Sequence, residues 1–194
     1  MTATKITPGL ITTLVGATGL PASAGYEFVS SVTASSSATV AFTTMTTGYD
    51  WKIIAIHILG ASDGVNFNAT LGVAGPTYRT SGYEGAVSQL WYNSSTPTGG
   101  GMGANILLNS STIGNASADE GVHVVNLELY DPANASTDTA FTMNGQHSNT
   151  NNTKSTLAAS GHYTTSEANV AISFQFSSGN IASGLFKLYR RPNA

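Results

Sequence analysis

Ala171-Ile172-Ser173-Phe174-Gln175-Phe176-Ser177-Ser178-Gly179-Asn180-Ile181-Ala182-Ser183-Gly184-Leu185-Phe186-Lys187-Leu188-Tyr189-Arg190 is the stretch on which the fold assignment turns. Its first part alternates and places Ile172, Phe174 and Phe176 on one face. Its second part alternates again, with Leu185, Lys187 and Tyr189 opposite Phe186 and Leu188. A period of two is the pattern of half-buried strands, and the Gly179-Asn180 pair between them is turn chemistry. The expectation is two antiparallel strands that close a β fold as a terminal hairpin.

The same pattern continues towards the N-terminus. Strand-like runs cover 26–33, 38–43, 51–59, 65–73, 86–92, 104–108, 122–130, 139–143, 160–164, 168–176 and 184–189. Asp63-Gly64, Gly75-Pro76, Thr98-Gly99-Gly100-Gly101, Asp131-Pro132 and Asn144-Gly145 separate them as turn or loop signals. Residues 75–85, 94–103 and 146–155 read as longer loops, the places where a rigid β frame carries recognition. No long amphipathic helix and no internal repeat stand out. Many short strands with regular turns predict an all-β fold, a jelly-roll-like antiparallel β-sandwich over 26–194.

Residues 1–25 differ from the rest. They are rich in Thr, Gly and Pro and carry no sustained period, yet Ile6, Leu10, Ile11, Leu14, Val15 and Leu20 make them more apolar than a disordered tail. This predicts an extended N-terminal arm that anchors the protein on a partner surface.

Only 9% of the 194 residues are charged, against about 25% in ordinary domains. The chain instead holds 23 Ser, 26 Thr and 15 Asn, small neutral polar residues suited to strands and turns. A net charge of −3 offers no basic stripe for phosphates, which argues against nucleic acid as a partner. Weak repulsion between copies suits a protein that assembles. There is no cysteine, hence no disulfide and no thiolate chemistry. No apolar run approaches the ~18 residues of a membrane helix, and the N-terminus does not read as a signal peptide, so the expectation is synthesis in a cytoplasm without membrane insertion.

Catalytic and cofactor signals are weak. His57, His123, His147 and His162 show no metal-ligand spacing, and Asp119-Glu120-Gly121 lacks the alternating acidic pattern of a calcium loop. Nucleophile elbows, phosphate loops and dinucleotide fingerprints are not found, and no carboxylate pair suggests glycoside hydrolysis. The reading is a non-enzymatic protein without catalytic, metal or cofactor residues. Six Asn-x-Ser/Thr sequons occur, a number that the density of Ser and Thr produces by chance. The remaining candidates are Tyr78, Tyr83, Trp91 and Tyr92, aromatic residues in or beside the middle loops where they are placed for outward recognition of a sugar.

Tyr26-Glu27-Phe28-Val29-Ser30-Ser31-Val32-Thr33, continuing to Thr43, then Tyr49-Asp50-Trp51-Lys52-Ile53, Asp63-Gly64-Val65 and Ser178-Gly179-Asn180-Ile181-Ala182-Ser183-Gly184-Leu185-Phe186-Lys187-Leu188-Tyr189 resemble a module of tailed-bacteriophage virion proteins, especially marine and cyanobacterial ones. There it is found in fibre, spike and decoration proteins. The resemblance covers residues 26–191 and is most specific at the closing motif. It implies a jelly-roll-like sandwich on the virion surface, commonly a homotrimer, with no catalytic residues to carry over. With about 25 residues ahead of the module and no shaft repeat, the expected role is a capsid decoration (cement) or short head-fibre protein docked on phage capsid or tail proteins by its arm. The alternative is a receptor-binding tail fibre or tail-spike tip that recognises host surface glycans.

Overall fold

A computed structural model describes residues 25–116 and 119–193. The arm residues Ile6, Leu10, Ile11, Leu14, Val15 and Leu20 lie outside the described residues. Within them the chain is all-β: β1 (Glu27–Ser37), β2 (Val40–Phe42), β3 (Tyr49–Gly60), β4 (Phe67–Val73), β5 (Thr77–Tyr78), β6 (Tyr83–Trp91), β7 (Thr98–Gly101), β8 (Ile106–Leu107), β9 (Gly121–Tyr130), β10 (Thr139–Ser148), β11 (Lys154–Tyr163), β12 (Ala171–Phe176) and β13 (Ile181–Pro192). Two antiparallel sheets pack as a jelly-roll-like sandwich. The larger runs β1-β13-β3-β9-β10-β11-β6-β7, and the smaller runs β2-β12-β4-β5 with β8 also paired to β4.

The expected terminal hairpin does not form. β12 pairs with β2 and β4, whereas β13 pairs with β1 and β3 in the opposite sheet. Residues 177–180 therefore cross between sheets. The reason lies in the aromatic residues: Phe174 meets Phe186 at 5.2 Å between ring centroids, and Phe67 meets both Phe174 and Phe176. A hairpin places its two strands side by side in one sheet, but these rings fill the space between two sheets. The crossing is held by Ser177 N–H to Asn66 O, Ala61 N–H to Asn180 O and the Asn180 amide to Ser36 O. Gly179 adopts φ +73° against Ser62, so three sheet-to-sheet corners stack at one end of the sandwich.

Strand periodicity is interrupted where β3, β9 and β13 meet in the large sheet. Trp51, Ile53 and Ala55 point inward on β3, but so does Ile58, because His57 adopts φ +51° and adds a residue to the strand. β9 changes phase beside it, with Val122 and Val125 both buried. Gly184 of β13, at φ +146°, accommodates the Ile58 side chain at this bulge. Asn144-Gly145, expected as a turn, instead continues β10 opposite Ala158 and Leu157. Gly145 is there for close approach: a β-carbon would lie 2.7 Å from Val124 O and 3.1 Å from Leu157 Cδ1. The predicted 146–155 loop shrinks to 149–153, and the predicted 94–103 loop contains the edge strand β7.

Candidate functional site

β6 alternates as half-buried strands do. Tyr83, Val87 and Gln89 face the core while Glu84, Ala86, Ser88 and Leu90 face outward. At its end the pattern relaxes. Trp91 is half-buried, Tyr92 is 78% exposed and Leu90 is 42% exposed. Ser94 N–H closes a turn on Trp91 O, and Tyr92 N–H is held by Lys154 O. A cleft of about 210 Å³ opens beside this turn, lined by Leu90, Trp91, Tyr92, Ser94, Gln146 and residues 154–156. A shallower hollow of about 340 Å³ shares Leu90 and Thr156 with it and continues along Ser88 and Ala158.

The pairing register explains the lining. Gln146 of β10 stands opposite Thr156 of β11, which stands opposite Leu90 of β6, one outward row. In the neighbouring inward row His147, Ser155 and Trp91 align. The central residue of that row is small, so the indole and imidazole from strands about 10 Å apart meet across it at 5.8 Å, edge to face. His147 is fully buried. Its Nδ1 lies 3.3 Å from Ser155 Oγ and its Nε2 3.4 Å from Ser111 Oγ, which in turn accepts from the Gln89 amide at 3.2 Å. Burial, reinforced by His123, lowers the His147 pKa to about 4, so the ring that braces Trp91 is neutral at physiological pH.

The cleft thus has an apolar side made by Leu90, Trp91 and Tyr92 and a polar side made by Gln146, Thr156 and Lys154. The side chains of Gln146, Thr156 and Tyr92 make no hydrogen bond to another described residue, while Lys154 Nζ donates to Asn152 Oδ1 at 3.1 Å. Among the described residues, Lys154 is the one charged residue in the lining of either hollow. Such an arrangement offers complementary chemistry to a ligand with one apolar face and several hydrogen-bonding groups.

Of the four aromatic candidates, the structure brings Trp91 and Tyr92 together and separates the others. Tyr83 is 1% exposed, a core residue and not an outward one; its hydroxyl accepts from Leu71 N–H at 2.7 Å and donates to Arg79 O. Burial holds its pKa well above the usual tyrosine value. The half-buried Tyr78 packs its ring over Gly72, where a β-carbon would lie 2.8 Å from it. Nearby Arg79 forms a bidentate pair with Glu167, both bonds 2.7 Å, and Tyr163 donates to the same carboxylate. Sequence reading missed Leu90, Gln146, Lys154 and Thr156; alternation along β6, β10 and β11 marks their outward faces but not their meeting.

Among the described residues no group of three His, Cys, Asp or Glu is arranged to hold a metal ion. His57 is exposed, and His123 contacts Ser148 Oγ at 2.8 Å. The Glu120 carboxylate is taken up by Ala116 N–H, a turn role.

A second constellation lies where residues 1–24 join the sandwich. Tyr26 lies over outward groups of the large sheet, with the Arg191 guanidinium 4.8 Å and Lys52 Nζ 5.4 Å from its ring centroid. Lys52 pairs with Glu128 at 3.0 Å, Arg191 with Asp50 at 2.8 Å, and Glu27 with Arg190. Burial and the neighbouring Glu128 carboxylate push the Tyr26 hydroxyl up to about 12.

Comparison with protein-family models, curated proteins and solved structures finds no match to this chain.

Proposed function

We propose that this chain is a non-enzymatic structural protein of a bacteriophage virion, a capsid decoration or short head-fibre protein docked by residues 1–25. The observation that carries the reading is the clamped start of the sandwich. Tyr26 sits among Lys52, Glu128, Asp50 and Arg191, and Glu27 pairs with Arg190, so force applied through the preceding segment passes into β1, β13 and β3 together. This is what a tethered surface domain needs at its attachment point. The sparse charge and the resemblance over residues 26–191 support it further. In this reading the protein is a homotrimer on the virion surface that contacts capsid or tail proteins. Deleting residues 1–24 is expected to leave the β domain folded by circular dichroism but unable to co-sediment with virions; undiminished co-sedimentation overturns the reading.

The Trp91–Tyr92 cleft favours a second reading, a receptor-binding tail fibre or spike tip that recognises host surface glycans. The isolated protein is then expected to bind host cells, and Trp91→Ala to weaken that binding by about 1–2 kcal/mol. Failure to bind any susceptible host removes this second reading.

A further inference from the structure

Resting on that second reading, we infer that the cleft at Tyr92 and the hollow at Ala158 form one continuous subsite for a short acidic oligosaccharide. The two depressions share Leu90 and Thr156, so they are one groove along the β6–β11 pair. From Tyr92 to Ser88 it runs about 13 Å along the strand, longer than a single sugar ring. Its volume is divided into two shallow parts and not gathered into one deep cavity, which suits a chain laid along the sheet better than a compact ligand.

Each side of the groove matches a part of such a chain. Tyr92 and Leu90 are two of the three large exposed hydrophobic residues among those described, and both line the cleft as its apolar side, suited to the C–H face of a pyranose. The Gln146 amide and the Thr156 hydroxyl face the same space with hydrogen-bonding capacity unused by the other described residues, ready for ring hydroxyls. At the far end Ser88 and Ala158 stand opposite each other, and their small side chains keep the trough open.

Lys154 sets the charge. Its ammonium has given one hydrogen bond to Asn152, which leaves two donors for a ligand. Among the described residues, neither depression is lined by a carboxylate that would repel an anion. The neutral His147 behind Trp91 adds no competing charge. A sugar carboxylate beside Lys154 is therefore recognised, and a fully neutral chain is recognised less well.

The test uses the full-length protein with four acidic probes, trigalacturonate, a mannuronate trisaccharide, a hyaluronan tetrasaccharide and sialyllactose, against neutral maltotriose, read by Trp fluorescence and calorimetry. At least one acidic probe is expected to bind about tenfold more tightly than maltotriose. Lys154→Gln is expected to abolish that preference, and Tyr92→Ala to weaken binding about tenfold. Ala158→Trp fills the trough and is expected to remove the advantage of the bound oligomer over its monosaccharide. Binding by none of the four acidic probes, or binding indifferent to Lys154→Gln and Tyr92→Ala, overturns the inference. Host-cell binding that survives this failure and still responds to Trp91→Ala keeps the receptor reading; loss of both removes it too.

Discussion

The indole of Trp91 stands edge-on to the buried imidazole of His147, 71° between planes, across the small residue Ser155. The brace works only while the imidazole is neutral and its two nitrogens rest on serine hydroxyls. His147 titrates at about 4 in the fold against an ordinary 6.5. Between those values the unfolded chain binds a proton that the folded chain refuses, so stability falls as pH is lowered from about 6.5 to 4. The loss from this one group is about 3 kcal/mol, with His123 shifted in the same direction. Urea midpoints measured across this window should decline, and His147→Gln should flatten the slope while lowering stability at pH 7. An unchanged slope contradicts the assignment.

Trp91 and Tyr92 should separate scaffold from contact surface. Tyr92→Ala, at an exposed side chain without a hydrogen bond to another described residue, should alter stability by less than about 0.5 kcal/mol. Trp91→Ala removes the ring packed on His147 and should cost about 2 kcal/mol. Thermal or chemical unfolding of the two variants checks the difference; equal losses contradict it.

Gly184 and Gly48 offer a second contrast. Both have positive φ, +146° and +83°, but a β-carbon at Gly184 would collide with the Ile58 side chain and lie 3.1 Å from Ile58 Cα, whereas nothing stands within 4 Å at Gly48. Gly48→Ala should therefore cost only the backbone penalty, about 1 kcal/mol. Gly184→Ala adds a steric clash at the bulge and should cost about 3 kcal/mol. Similar losses at both sites would mean that the bulge is not packed as described.

Asn109 pins the loop behind the cleft to β4. Fully buried, it accepts from Phe67 N–H at 2.7 Å and donates to Asn66 Oδ1 and Ser111 O. Asn109→Ala strands the Phe67 N–H in the core and should cost about 3 kcal/mol. Asn151→Ala, in the exposed 149–153 turn, should change stability by less than about 0.5 kcal/mol. Hydrogen exchange at Phe67 offers an independent readout: its amide should exchange markedly faster in the Asn109 variant.

Much of the fold is legible in the order of residues along the chain. Phe174, Phe186 and Leu188 announce their burial through alternation, and Asp63-Gly64 and Asp131-Pro132 mark real breaks between strands. The errors share a cause. Asn144-Gly145 has turn composition, but Gly145 serves a close approach to β9 and β11, a requirement set by neighbours distant in sequence. Tyr83 sits beside turn-rich residues and reads as outward-facing, yet its place is set by Leu71 and Arg79.

Strand positions and inward faces depend on side chains two residues apart, so they are written locally along the chain. The sheet that each strand joins is not local. β12 and β13 are separated by four residues yet lie in opposite sheets, where Phe174 and Phe186 meet across the space between the sheets with ring centroids 5.2 Å apart. The groove arises in the same way. Leu90, Gln146 and Thr156 belong to three strands, and nothing near any of them in sequence points to the other two. Antiparallel register alone brings them into one row, with Trp91 braced behind by a histidine 56 residues away whose neutrality comes from burial.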